Sequence, residues 1–342
     1  MTSTNPNTLA RTAPAFVIGC RRSGTTLVSR IIDAHSAFSI YHESFLYPIL
    51  SKELRWYGDL AKAPNLDRLI DDVRDLLSTQ VEGVPTREEI RGAMAQASFS
   101  GVFGALLQLY ARAHGKRRGG DKTPEHHRFL GDILRDFSES PVVFTARDPR
   151  DTVLSIRRVF DTSVEGAAYR WRQAFESYRA HAGRIHLLRY ETLVREPEGE
   201  VRRLCDVLGE DFEPGMLEFH LHTPAAMRGR HGGEKLSAPI DPSSIGQFHA
   251  MPESDLRTIE TVCAEGMEAL AYTFVTSGRP ATSNAMYAPP PERQWRRIVD
   301  GLRYYGLNPR RWQRGAARWK IMARLRLHWL VGRLARRSER RI

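Results

Sequence analysis

The stretch Gly19-Cys20-Arg21-Arg22-Ser23-Gly24-Thr25-Thr26 decides how this chain is read. Ala15-Phe16-Val17-Ile18 precedes it, an apolar run of strand length, and Leu27-Val28-Ser29-Arg30-Ile31-Ile32 follows with helical spacing. Strand, glycine-bounded loop and helix form the layout of a phosphate cradle, in which backbone N–H groups and a helix N-terminus converge on one anion. The spacing matches the nucleotide loop G-x-x-x-x-G-K-[ST] with one departure: Thr25 stands at the lysine position, and the nearest cation is Arg22, inside the loop.

Outward from the loop, short apolar runs alternate with helical stretches from about residue 14 to 279. That pattern predicts an α/β fold around a parallel sheet. Strands are expected at Phe16–Gly19, Pro141–Ala146 and Ile185–Arg189, with a further short one at Ser36–Tyr41. Helices are expected at Thr25–Asp33, Leu66–Thr79, Arg87–Ala95, Phe103–His114, Pro149–Arg158, Ala167–Ala180, Pro197–Leu208 and Glu253–Leu270. Residues 1–13 read as a flexible leader, 280–291 as a proline-rich linker and 292–342 as an Arg-rich helical tail.

A chain of 342 residues, 41% hydrophobic and 27% charged, can bury a sizeable core in one large domain or two ordinary ones. Its three cysteines, Cys20, Cys205 and Cys263, form no C-x-x-C pair, so neither a zinc site nor a disulfide framework is indicated. Cys20 reads as a small loop filler rather than a reactive thiol. The polar N-terminus is unlike a secretory signal, and no apolar run reaches the ~18 residues of a membrane span, so a cytoplasmic protein is expected. The net charge of +11 is concentrated in the tail: residues 292–342 carry sixteen Lys/Arg and three acidic residues, leaving the remainder at −2.

A second motif is Val142-Val143-Phe144-Thr145-Ala146-Arg147-Asp148-Pro149-Arg150-Asp151, followed by Leu154-Ser155. A buried strand ends in an arginine and a helix opens on proline, whose missing N–H is an orphan donor there anyway. Arg147 and Ser155, eight residues apart, then reach one phosphate, the arginine with a bidentate grip and the serine with a hydroxyl. The alternative for Asp148 and Arg150 is an exposed turn.

Gly19-x-x-Arg22-Ser23-Gly24-Thr25-Thr26-Leu27, then Arg147-Asp148-Pro149-Arg150-Asp151 with Ser155, then Leu188-Arg189-Tyr190-Glu191-x-Leu193, resemble the sulfotransferase family over residues 14–275. The likeness is to its bacterial and tyrosylprotein-type branch, and it implies a P-loop-like three-layer fold with a central parallel sheet. The implied co-substrate is 3′-phosphoadenosine 5′-phosphosulfate (PAPS), the product nucleotide adenosine 3′,5′-bisphosphate, and no metal is required. Carried over residue by residue, Arg22, Ser23, Gly24, Thr25 and Thr26 hold the 5′-phosphosulfate, Arg147 and Ser155 the 3′-phosphate, and Tyr190 lies near the nucleotide. Glu43, in Tyr41-His42-Glu43-Ser44, matches the branch's base, with His42 as its rival. Lys122, in Gly120-Asp121-Lys122-Thr123-Pro124, stabilises the transferred group beside Arg22. Ser237 and Gln247 fall in a late loop that closes over the nucleotide.

The same pieces bear on a P-loop nucleotide kinase or NTPase. That reading needs a loop lysine and an acidic metal ligand ending a strand, and no recognised strand ends in one. The remaining alternative is a non-catalytic nucleotide-binding scaffold. The acceptor is a hydroxyl on a sugar, a lipid-linked or a small molecule, with Trp56, Tyr57, Phe99, Phe103 and Tyr110 expected around its pocket. In the tail, Trp312, Ala316, Trp319, Ala323, Leu327, Leu330 and Leu334 form one apolar stripe beside arginines. It docks on the core, lies on an anionic membrane surface, or meets an acidic partner; nucleic acid is not the favoured partner.

Overall fold

The computed structural model describes residues 13–78, 83–223 and 234–276, together with Lys320, Ile321 and Ala323. The linker 280–291, and the leader and tail apart from Ala13, Lys320, Ile321 and Ala323, lie outside the described residues.

Five strands form one parallel sheet: β1 (Ala15–Gly19), β2 (Phe38–His42), β3 (Arg118–Lys122), β4 (Val142–Ala146) and β5 (His186–Arg189), in the order β2-β3-β1-β4-β5. The helices are α1 (Thr25–Ala34), α2 (Leu46–Leu50), α3 (Ala63–Ser78), α4 (Arg87–Ala93), α5 (Phe99–Ala113), α6 (Leu130–Asp136), α7 (Pro149–Val159), α8 (Val164–Arg179), α9 (Tyr190–Arg195), α10 (Pro197–Leu208) and α11 (Glu253–Ala269). This is the α/β parallel-sheet architecture the sequence pattern predicts, in the P-loop-like form the family resemblance implies.

Both faces of the sheet are covered, which is why β1 and β4 are continuous apolar runs rather than alternating ones. Ala15 and Val17 point to one face, into a core with Val28, Ile31 and Ile32 of α1 and Val201, Leu204 and Leu208 of α10. Phe16 meets Phe137 on the other face, and Phe144 stacks on Tyr178 of α8. Each fully buried Val, Leu, Ile or Phe side chain among these contributes about 1.5–3 kcal/mol.

β3 is the strand that hydrophobic pattern does not predict. Its sequence, Arg-Gly-Gly-Asp-Lys, has no apolar side chain, yet all five residues are buried. Backbone pairing on both sides holds it, to β1 and to β2. A Cβ on Gly120 would stand 2.4 Å from Ile40 Cδ1 and 2.6 Å from the Ala15 carbonyl oxygen, so glycine is required there by close approach. The charges are paired instead of solvated: Arg118 donates to the carbonyl oxygens of Ala13 and Leu208 and to Glu210. Asp121, one residue before the end of β3, is an acid on a strand next to β1 that hydrophobic pattern does not recognise, and it is engaged by His126 and the Ser44 N–H.

Successive connections leave β1 toward β2 and β4 toward β5, in opposite directions. The carboxyl ends of β1 and β4 therefore border the crevice where ligands of open α/β sheets bind.

The described residues fall into two compact units, one within Met1–Ser44 and Tyr110–Ala288 and one within Phe45–Leu109 and Pro289–Ile342. The sheet and every candidate catalytic and nucleotide-binding residue belong to the first. In the second, Tyr57 donates to Asp72 (2.7 Å), and Tyr47, Phe99 and Phe103 pack edge to face or tilted. Tyr57, Phe99 and Phe103 are 1%, 4% and 1% exposed, so they build that unit's core rather than line an open pocket. Among the described residues, no helix is long and apolar enough to cross a membrane.

Candidate active site

Each strand of the sheet delivers a candidate residue at its carboxyl end. β1 runs into the loop holding Arg22, β2 into Glu43, and β3 ends on Lys122; β4 runs into Arg147 and β5 into Tyr190. Across the sheet the order is Glu43, Lys122, Arg22, Arg147, Tyr190. With neighbouring strands about 4.8 Å apart, the row from β2 to β4 spans about 14 Å.

The loop after β1 is braced from below. The Ser23 hydroxyl, fully buried, faces the carbonyl oxygens of Cys20 (2.7 Å) and Thr145 (2.9 Å), fastening the loop to the end of β4. Thr25, at the lysine position of nucleotide loops, is itself buried. Arg22 has φ 70° and Gly24 φ 96°; the left-handed conformation is free for glycine and strained for arginine. Gly24 is needed for space as well, because a Cβ there would stand 2.5 Å from Tyr190 Cδ2.

α1 then begins with no side-chain cap and no acidic residue in its first turn. Its orphan N–H groups and dipole are left for an anion. Arg22 Nε donates to Ser155 Oγ (3.1 Å), and Arg147 Nη1 to the Arg22 carbonyl oxygen (3.3 Å). Arg22, not Arg147, is thus the direct partner of Ser155, and the two arginines share one neighbourhood. Burial and the Arg147 guanidinium push the Arg22 pKa below its ordinary value, with Glu43 opposing them.

Arg147 lies over the Tyr190 ring at 4.8 Å, donates to the Ser244 carbonyl oxygen (2.5 Å) and receives the Trp171 indole N–H on its own carbonyl (2.8 Å). Its Nε is buried and has no hydrogen-bond partner among the described residues. An unpartnered guanidinium N–H, two arginines under mutual repulsion and an uncapped helix N-terminus fit a multiply charged phosphate ligand. Asp148 and Arg150 are not an exposed turn. Both are buried: Asp148 caps α7 through the Arg150 N–H, and the Arg150 guanidinium is shared between Asp148 and Glu260.

At the other end of the row, Lys122 Nζ is fully buried and donates to Glu43 Oε1 (2.8 Å) and Thr26 Oγ1 (3.2 Å). His42 Nε2 stands 3.4 Å from the same nitrogen. Both candidate bases therefore meet one lysine, and Glu43 is closer. Burial works against ionisation of Glu43, but Lys122 and His42 overcome it and hold the carboxyl well below the usual range. Burial lowers the Lys122 pKa, with Glu43 opposing. Glu43 has φ 64°, a second strained non-glycine residue at the site.

The late loop reaches the site differently from expectation. Ser237 is exposed, and Gln247 is bonded to Arg158 and to the Ser243 carbonyl. Lys235 donates to Ser244 Oγ (2.5 Å), on the same residue whose carbonyl oxygen holds Arg147. Asp151 accepts the Gly246 and Phe248 N–H groups, pinning this loop to α7. Asp151 carries no expected role from the sequence, and its place in the Arg147–Asp151 motif does not by itself mark it as the anchor of this loop.

The sequence profile described as the sulfotransferase family matches residues 14–214. The chain belongs to the sulfotransferase family. Among similar proteins is a protein-tyrosine sulfotransferase of Drosophila melanogaster, 27% identical over 217 residues, covering 59% of this chain and 39% of that protein. The sulfotransferase domain from the curacin biosynthetic pathway has a TM-score of 0.52 at 20% identity, covering 77% of this chain and 99% of that one. The corresponding domain of the Synechococcus PCC 7002 olefin synthase has a TM-score of 0.50 at 20% identity, covering 77% and 95%. These two share the fold of this sulfotransferase. Among the described residues, no group of three or more His, Cys, Asp or Glu side chains is placed to hold a metal ion.

Proposed function

We propose that this sulfotransferase moves the sulfuryl group of PAPS to an acceptor hydroxyl, with Glu43 as base. The order of residues along the strand ends carries the proposal: a carboxylate, a lysine, an arginine loop, a second arginine and an aromatic ring stand in one row. In the proposed binding mode the α1 N-terminus and Arg22 take the 5′-phosphosulfate, while Arg147 and Ser155 take the 3′-phosphate. Tyr190, tied to the loop by contact with Gly24, keeps Arg147 in place. PAPS supplies a sulfuryl group on a good phosphate leaving group.

Glu43 accepts the acceptor's proton as the hydroxyl oxygen bonds to sulfur and the bond from sulfur to the phosphate oxygen breaks in line. The electron pair leaves on that oxygen, where Lys122 and Arg22 stabilise it. Lys122 couples the two ends. While it pairs with Glu43 it keeps the carboxylate ionised but a weak base. As charge grows on the leaving oxygen, Lys122 turns its attraction there, and Glu43 gains basicity when the proton must move. His42, farther from the acid–base pair, stays a flanking group.

The acceptor is a hydroxyl on a sugar, lipid-linked or small molecule, and the fly relative's name adds a tyrosine phenol to the panel. The Arg-rich residues 292–342 are proposed to bring the enzyme to an anionic membrane surface. The test is transfer from radiolabelled PAPS to fractionated lipids, carbohydrates, small phenols and tyrosine peptides, without added metal. Acceptor-dependent release of adenosine 3′,5′-bisphosphate is expected, and Glu43→Gln should lower it about 100–10,000-fold. Magnesium-dependent turnover of ATP in place of PAPS would move the chain to the kinase reading.

A further inference from the structure

Glu43 sits just past the end of β2, in a conformation that a glutamate does not favour. Two consecutive N–H groups hold it there. In the register of the sheet Tyr41 is opposite Asp121 and His42 is opposite Lys122. Glu43 N–H then donates to the Lys122 carbonyl oxygen (2.8 Å), and Ser44 N–H turns back to Asp121 Oδ2 (3.2 Å). The first bond continues the ladder. The second replaces a ladder bond by a side chain, and so lets the chain turn left-handed while its N–H stays satisfied.

Asp121 is fully buried, and its other carboxylate oxygen stands 3.0 Å from Nδ1 of His126, also fully buried. Burial opposes its ionisation, but His126 and the side chains of Ser44 and Thr123 hold its pKa below the ordinary value. His126 lies in the short turn Pro124–Phe129 that follows Lys122, and Glu125 of the same turn pairs with Arg21 in the phosphate loop. One six-residue stretch of chain, Asp121–His126, therefore touches both the base turn and the phosphate loop.

We propose that Asp121 and His126 are a positioning pair for the base, clamping the Glu43–Ser44 turn so that the Glu43 carboxylate meets Lys122. The inference rests on Glu43 being the base. Asp121 supplies a charge-assisted bond to the strained turn, and His126 fixes the direction of the Asp121 carboxylate. Neither takes part in the proton transfer itself.

The test uses the full chain with Asp121→Ala, Asp121→Asn, His126→Phe and His126→Asn. Three things are measured: kcat and KM for transfer, affinity for adenosine 3′,5′-bisphosphate by calorimetry, and a crystal structure of each variant that folds. In Asp121→Ala, kcat should fall about 100-fold, the effect of roughly 1 Å of misplacement, with nucleotide affinity unchanged. Asp121→Asn keeps an oxygen for the Ser44 N–H and should recover most of kcat. The Asp121→Ala crystal structure should show Glu43 out of the left-handed region and its carboxylate off Lys122. An intact turn there, a wild-type kcat, or nucleotide affinity falling in step with kcat would each overturn the clamp. If Asp121→Ala does not fold, His126→Phe decides: a kcat loss of about tenfold restored by His126→Asn supports the pair, and no loss removes it. The crystal structures need no donor. If the wild-type chain transfers no sulfuryl group from PAPS, the proposed function falls, while the position of Glu43 still decides the clamp.

Discussion

Gly24→Ala isolates the contact that joins the phosphate loop to Arg147. Two costs follow from the structure. Gly24 has φ 96°, and a residue with a Cβ pays about 1–2 kcal/mol in the left-handed region. That cost is to stability, and at roughly 2–4 °C per kcal/mol for a domain of this size it lowers Tm by about 2–8 °C. The second cost is to binding. The new Cβ would stand 2.5 Å from Tyr190 Cδ2, whereas carbon atoms settle at about 3.5–4.0 Å, so the ring must retreat by about 1 Å. That ring underlies the Arg147 guanidinium at 4.8 Å, and the arginine loses its seat. A misplacement of this size in a phosphate grip weakens adenosine 3′,5′-bisphosphate binding by about 10–100-fold, or roughly 1.4–2.7 kcal/mol. Calorimetric titration measures the affinity, and scanning calorimetry the stability. The contact makes a further demand: in Tyr190→Ala the clash is gone, so adding Gly24→Ala should cost little more in affinity, a non-additive cycle. Wild-type affinity in Gly24→Ala, or full additivity with Tyr190→Ala, would refute the reasoning.

Three other outcomes are expected. Lys122→Met leaves burial of Glu43 unopposed by its main partner, so the acid limb of the kcat/KM profile, expected below the usual carboxylate range in the wild type, should rise into the range of an ordinary or elevated carboxyl, about 4.3 or above; an unmoved limb would separate the two groups. The Glu43 carboxyl is depressed in the fold, so its contribution to stability is fully present above about pH 4.3 and is lost as pH falls through its lower folded value; urea melts of wild type and Glu43→Gln should therefore converge in acid and diverge at neutral pH. Cys20, whose pKa burial pushes up to about 12, and the buried Cys205 and Cys263 should resist a thiol reagent in the native protein at pH 8 and all react after unfolding; native labelling of Cys20 would show the loop opening.

The parts of this protein that were legible in sequence are those where a local rule and the tertiary structure agree. The β1 loop and the β4 arginine are flanked by apolar strands, so hydrophobic pattern and motif chemistry mark the same residues. Where the two conflict, pattern fails. β3 carries arginine, two glycines, aspartate and lysine, the composition of an exposed turn, because its faces are filled by neighbours that leave no room at Gly120 and by partners that pair every charge. Lys122 read alone is a solvated lysine before a turn; in the sheet it is a buried one whose ammonium is shared by Glu43 and Thr26. Tyr57, Phe99 and Phe103 failed in the opposite sense: aromatic residues fit a pocket or a core equally well in sequence, and burial assigns them to a core.

The least predictable features are also the ones that bring the site together. Arg22 and Glu43 both occupy the left-handed region, where neither residue has an intrinsic reason to be, and no sequence pattern announces it. Each strain has its own restraint. Arg22 is held by Arg147 on its carbonyl and Ser155 on its side chain; Glu43 is held by Lys122 on its N–H and Asp121 on the next. Strain of about 1–3 kcal/mol at a residue persists only where surroundings over-determine it. At Arg22 the restraining groups are the Arg147 and Ser155 side chains proposed for the donor; at Glu43 they are the backbone carbonyl of Lys122 and the Asp121 carboxylate, both on β3. The loop arginine is thus positioned by the side chains proposed to grip the phosphates and the base by β3, so a substitution of Arg147 or Ser155 should disturb Arg22 and the affinity together, whereas one at Asp121 should disturb the proton transfer alone.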